Sequence, residues 1–145
     1  GSANRLNYSV IGDTVNLAAR LESLTRFYSV NNIVSEASML AAPDYVYREL
    51  DEVRVAGKSE SVKIFELIGR ESQIGPEKRG EITAFASALH QYRQQNWSQA
   101  RQEFTALGSA CENTNLVQVY LDRIDSFESD PPGDDWSGVY SFGKK

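Results

Sequence analysis

Residues 5–22, RLNYSVIGDTVNLAARLE, decide how the rest of this chain is read. Tyr8-Ser9-Val10-Ile11 is short, apolar and rich in β-formers, which predicts a strand. Gly12-Asp13-Thr14 supplies a turn and a helix cap, with Asp13 best explained as the capping residue. From Val15 to about Tyr28 the pattern is helical, because Leu17, Leu21, Leu24 and Tyr28 recur at steps of three and four and form one apolar stripe. Asn16 falls in the first turn, where unpaired N–H groups and the positive end of the helix dipole favour an anion. Arg20 lies one turn later, so both side chains project from one face, with Ser23 and Phe27 beyond them. A neutral amide and a guanidinium aimed together suit an ester phosphate or developing negative charge. Taken alone, the same pair is better explained as an ordinary solvated helix face, since helices carry exposed Arg and Asn routinely.

Outward from this run, strand and helix signals alternate up to residue 70. Asn31-Asn32 is a break, Ile33-Val34 a short strand, and Ser35 a cap for a short helix through Ser38-Met39-Leu40 that Pro43-Asp44 ends. Tyr45–Val55 reads as extended, with alternation at Val46, Arg48 and Leu50. Gly57–Ser61 is a turn, and Val62–Ile68 a second strand. Asp51, Glu52 and Glu22 read as surface charges. A polar stretch with Gly and Pro, residues 71–80, is the expected linker. Beyond it the pattern is helical throughout: Ile82 to about Gln95, Ser98 to about Leu107, and a third helix capped at Asn113-Thr114-Asn115 with Leu116, Val119, Tyr120, Ile124 and Phe127 inward. Ala88, Ala100 and Phe104 are spaced like the contacts of a tetratricopeptide helical hairpin, with Tyr92 one residue from the position that repeat prefers. Only one such unit fits, whereas solenoids need about three, so residues 81–129 are expected to form a hairpin plus capping helix packed on the first part. Pro131-Pro132 extend the tail, 130–145. Its Trp136, Val139 and Tyr140 are too apolar for solvent and should dock on the helices or on a neighbouring chain.

Composition narrows the function classes. The 145 residues carry a net charge of −5 without a basic stripe, a poor match to nucleic acid or to an anionic membrane surface. No apolar run approaches the roughly 20 residues of a membrane span, and the first ten residues lack the apolar core of a leader. An apolar, strand-like run that opens as early as Leu6 suggests a piece of something longer. One cysteine, Cys111, and one histidine, His90, supply neither an internal disulfide nor a zinc site. His90 lies in an amphipathic helical stretch and reads as a helix-surface or core-edge residue rather than part of a triad.

Residues 7–22, NYSVIGDTVNLAARLE, resemble the signature of class III adenylyl and guanylyl cyclases, in which a strand bearing a purine-selecting residue runs into a GDTVN turn and helix. VAGKSESVKIFELIG at Val55–Gly69 resembles, more loosely, the closing hairpin of that catalytic domain. The helical stretch with its PP…DWSGVY ending is similar to the C-terminal extension of a bacterial subgroup whose cyclase follows a membrane-anchored sensor. The resemblance implies an α+β fold: residues 1–70 as the C-terminal half of a ferredoxin-like cyclase domain, then the helical extension. It implies that the parent protein turns ATP into cyclic AMP. Asn16 would orient the ribose, Arg20 would stabilise charge on the α-phosphate, Ser9 would read the adenine edge, and Lys58 would approach the triphosphate. Ala56 stands where the family often has a second lysine. The family binds two ions, Mg²⁺ or Mn²⁺, through two aspartates on earlier strands, so no metal ligand is expected in this chain and the chain alone is expected to be inactive. The implied partners are ATP or GTP and a second catalytic domain, as a homodimer. The implied location is the cytoplasmic portion of a protein anchored in the inner membrane. A guanylyl cyclase and a non-catalytic, cyclase-like interaction module are the alternatives.

Overall fold

The structure, a computed structural model, describes residues 22–54 and 59–142. Among them, residues 22–28 are helical (α1), followed by β1 (Val34–Ser35), α2 (Glu36–Ala41), β2 (Tyr45–Arg54), β3 (Val62–Arg70), α3 (Pro76–Arg93), α4 (Trp97–Ala110), α5 (Thr114–Ser129) and β4 (Tyr140–Ser141). The fold is α+β. The described strands form one mixed sheet in the order β1-β3-β2-β4, antiparallel except for the parallel pair β2/β4.

The chain's punctuation has local causes. Helix α1 ends as a Schellman motif: Ser29 is left-handed (φ 58°), its N–H bonds the carbonyl of Arg26, and the N–H of Val30 bonds that of Thr25. Gln95 (φ 62°) closes α3 in the same way, with Tyr92 and Gln91 as the acceptors. Ser35 caps α2 by accepting from the N–H of Ser38 at 3.2 Å. Helix α3 begins at Pro76 rather than Ile82, because a proline at the first helical position loses no hydrogen bond and arrives with a helical φ. Ring contacts between Phe85 and Phe104, and the bond from Ser87 to Glu103, run α3 and α4 antiparallel. Ala88, Ala100 and Phe104 are fully buried between them.

The expected strand alternation fails in the middle of β2. Glu49 lies opposite Phe65 but Asp51 lies opposite Ile64, so Leu50 is an extra residue, a β-bulge. The bulge shifts the phase of the pleat. Arg48 faces with Glu66 before it, and Asp51 faces with Ile64 after it; Glu66 and Ile64 are two apart on β3 and therefore share a face. Asp51 is thereby turned inward and is fully buried, correcting the surface position its charge suggested.

Asp51 meets Arg123 of α5 at 2.7 Å, and both are buried. The same carboxylate oxygen accepts from the hydroxyl of Tyr28 at 2.6 Å, while its other oxygen takes the N–H of Glu52 at 2.8 Å. The hydroxyl of Tyr120 donates to the carbonyl of the bulged Leu50 at 2.5 Å. The guanidinium of Arg123 also lies 3.6 Å from the centroid of the Tyr140 ring and 5.0 Å from that of Tyr120. A second ionic rivet joins α3 to the sheet: buried Arg48 bonds Glu66 at 3.1 Å and Glu81 at 3.2 Å, and Arg93 bonds Glu49 at 2.8 Å at the far end of the helix.

A buried pair survives only while both members are present, because a lone charge at such a site is left without water or a partner. Arg123→Met or Asp51→Asn is therefore expected to lower unfolding free energy by roughly 3–5 kcal/mol. The double variant Asp51→Leu/Arg123→Met should lose markedly less than the two single losses added, as measured by urea denaturation. Burial also sets the alkaline limit. It pushes Tyr92 up to about 12 and holds Tyr28 and Tyr120 well above the usual phenol value, each with Asp51 adding to the rise. The folded state thus holds phenol protons that the unfolded chain releases near pH 10. The stabilisation is complete below about pH 10 and drains away above it, by about 1.4 kcal/mol per pH unit for each proton retained. Denaturation midpoints followed by circular dichroism should hold flat to that pH and then fall.

Candidate functional site

Ser9, Asn16, Arg20 and Lys58 all lie outside the described residues, as do the strand Tyr8–Ile11 and the turn with Asp13. The structure does describe the two elements that lead directly into those positions. The first is α1, whose residues 22–28 follow Arg20. Leu24 and Tyr28 are buried there, as the apolar stripe requires, and Ser23 and Phe27, on the face the sequence groups with Asn16 and Arg20, are exposed.

Helix α1 is held at its C-terminal end by a residue far along the chain. Asn113 caps α5 by accepting from the N–H of Leu116 at 3.0 Å. Its amide nitrogen simultaneously donates to the carbonyls of Ser29 at 2.8 Å and Tyr28 at 3.4 Å. One side chain thus satisfies the N-terminus of one helix and the C-terminus of another. Tyr28 makes the second attachment through Asp51 and Arg123.

The second element is the end of the β2–β3 hairpin, described up to Arg54 and again from Ser59. The Nε of Arg54 donates to the carbonyl of Ser59 at 2.9 Å, and the hydroxyl of Ser61 donates to Glu52 at 2.7 Å. These bonds tie the two strands together at the end of the hairpin. On the opposite edge of β3, the side-chain amide of Asn32 takes both backbone groups of Leu67, at 2.8 and 3.1 Å, and so continues the pairing of β1 past its end.

Among the described residues no three His, Cys, Asp or Glu side chains converge as a metal site. Asp51, the buried carboxylate, is spent on Arg123, Tyr28 and its neighbour's N–H. The described residues therefore do not fit a divalent ion. A groove of about 850 Å³ runs between α3 and α4, over Ala84, Ala106 and Leu107 and beside Glu77, Glu81 and Glu103. Part of its polar lining is paired, Ser87 with Glu103 and Glu81 with Arg48 and Lys78, and its acidity repels a nucleotide. His90 is exposed on α3, as expected. No helix among the described residues is long and apolar enough to cross a membrane.

Asn113 was legible as the cap of α5, but its hold on α1 was not, and Arg123 was not singled out from the sequence. Arg123 had a signal: it is a charged residue within the apolar stripe of α5, next to Ile124 and one turn from Tyr120, and such a residue needs a buried partner.

The chain is similar to parts of three adenylate cyclases. It is 28% identical over 128 residues to the terminal-differentiation specific adenylate cyclase of Dictyostelium discoideum, covering 85% of this chain. It is 36% identical over 70 residues to adenylate cyclase 1 of Rhizobium meliloti, and 38% identical over 71 residues to the adenylate cyclase of Anabaena cylindrica, covering 48% and 46% of this chain. The chain spans only 6%, 10% and 14% of the lengths of these three relatives. These similarities agree with a fragment of a class III cyclase catalytic domain. No family model and no solved structure matches the chain.

If Asn113 holds the end of α1 as described, Asn113→Ala should cost about 1–2 kcal/mol, the upper part of the range for losing a cap. The amides of Ser29 and Val30 should exchange faster along with that of Leu116, as read by hydrogen exchange.

Proposed function

We infer that this chain is the C-terminal part of the catalytic region of a class III adenylate cyclase, which forms cyclic AMP and pyrophosphate from ATP. The supporting observation is the NYSVIGDTVNLAARLE run together with the similarity to three adenylate cyclases. In this reading the 3′-oxygen of the ribose attacks the α-phosphate and pyrophosphate leaves. Asn16 hydrogen-bonds the ribose and holds that oxygen in line. Arg20 stabilises the charge that builds on the α-phosphate. Ser9 presents a hydroxyl to the purine edge, favouring adenine, and Lys58 approaches the triphosphate from the hairpin turn. Mg²⁺ or Mn²⁺ supplies activation of the attacking hydroxyl in such enzymes. The aspartates for those ions would come from a catalytic segment other than this chain, across a homodimer. Residues 1–70 are then half of a ferredoxin-like cyclase domain, 81–129 a tetratricopeptide-like appendage, and the whole a cytoplasmic portion of its parent.

Arg20→Ala in the parent is expected to cut cyclic AMP formation by roughly 10²–10³-fold, the scale for removing one positioned transition-state donor. Unchanged turnover would discard the assignment. The isolated chain should form no cyclic AMP, and should complement a partner that carries the aspartates. Competition between ATP and GTP in the parent decides between adenylate and guanylate cyclase activity: preferential use of GTP overturns the role given to Ser9.

A further inference from the structure

We propose that the C-terminal strap, Trp136–Phe142, is a clasp that fixes helix α1 against the end of strand β2 for nucleotide binding, with Arg54, Ser141 and Phe142 as positioning residues. The inference rests on the nucleotide reading above for why the link matters, but on geometry for the link itself. Phe142 touches both elements. Its ring stacks edge-on against Phe27 at 5.0 Å and Tyr28 at 6.3 Å, on the helix that follows Arg20. Its N–H donates to the carbonyl of Arg54 at 2.8 Å, on the strand that leads to Lys58. Arg54 in turn joins Ser59, just before β3, to Ser141 of the strap, at 2.9 and 3.4 Å. The parallel pairing of Val53 with Tyr140 and of Arg54 with Ser141 sets the register of this junction.

The strap is fixed upstream by the helical unit. Trp136 packs among Tyr92, Trp97 and Phe127. Gly138 lies against Arg93 with φ +94°, and a Cβ there would come within 2.6 Å of the Arg93 Cγ. Only glycine meets both demands. A cover for a sheet edge needs backbone pairing alone. It does not need an aromatic ring that reaches across to another helix and a guanidinium that joins Ser59 to the strap.

The test uses Arg54→Met, Phe142→Ala and Gly138→Ala in the full-length protein, with Phe142→Tyr as the conservative control. Loss of a merely structural contact lowers the folded fraction, so apparent kcat falls at constant KM. Loss of the clasp lets α1 and the end of β2 drift relative to each other, and drift of this kind costs up to about 10²-fold. The expected result is a KM for ATP raised roughly tenfold with a lower kcat in the three variants, and both restored in Phe142→Tyr. A constant KM overturns the proposal. Should the parent form no cyclic AMP, the nucleotide reading fails and the clasp is judged by amide exchange in the same variants. Faster exchange at residues 22–28 and 59–62 together supports it, and faster exchange confined to 136–142 overturns it.

Discussion

The ion pair between Asp51 and Arg123 is the constraint on which the arrangement depends. Asp51 sits on the central strand β2, Arg123 on the last helix, and between them they collect Tyr28 from α1 and Tyr140 from the strap. Four elements distant in sequence therefore share one charge-balanced point. Such a pair contributes less to stability than its Coulomb attraction suggests, because desolvating both ions is costly. What it supplies is position. A carboxylate with Arg123, Tyr28 and a backbone N–H as its donors has one well-satisfied geometry, and the helical unit is held to the sheet in that geometry.

The β-bulge at Leu50 makes the pair possible. In a regular strand Asp51 would share the face of Glu49, away from Arg48; the extra residue reverses it. It also frees the carbonyl of Leu50, which Tyr120 takes up. A single added residue thus creates the buried anion and an acceptor for the helix that carries its counterion.

Much of the fold was legible because its causes are local. The apolar stripe of α1, the serine cap of α2, the two long strands and the helical hairpin follow from periodicity and capping chemistry that each segment carries itself. The bulge was not legible: the alternation through Leu50-Asp51-Glu52-Val53 breaks, and nothing nearby states whether the charge turns in or out. The partner that decides it, Arg123, is 72 positions away. The early start of α3 was missed because a Gly-Pro pair reads as a linker until the helix behind it is recognised. Trp136 and Tyr140 were readable as docking residues from their apolar character in a polar tail, but pairing with β2 was not, since two residues of strand carry no pattern. For the site the balance is reversed. Ser9, Asn16, Arg20 and Lys58 come from motif resemblance, whereas the hold of Arg54, Asn113 and Phe142 on the neighbouring elements emerges only from contacts between distant parts of the chain.

The aromatic cluster at the root of the strap has an optical consequence. Both tryptophans of the chain, Trp97 and Trp136, lie in that one cluster, with ring centroids 5.9 Å apart. All indole emission from this chain therefore originates at the seat of the strap, and none from the sheet. An emission spectrum is a local gauge of whether the tail is seated. A sheet that loosened while the cluster stayed packed would pass unnoticed by it.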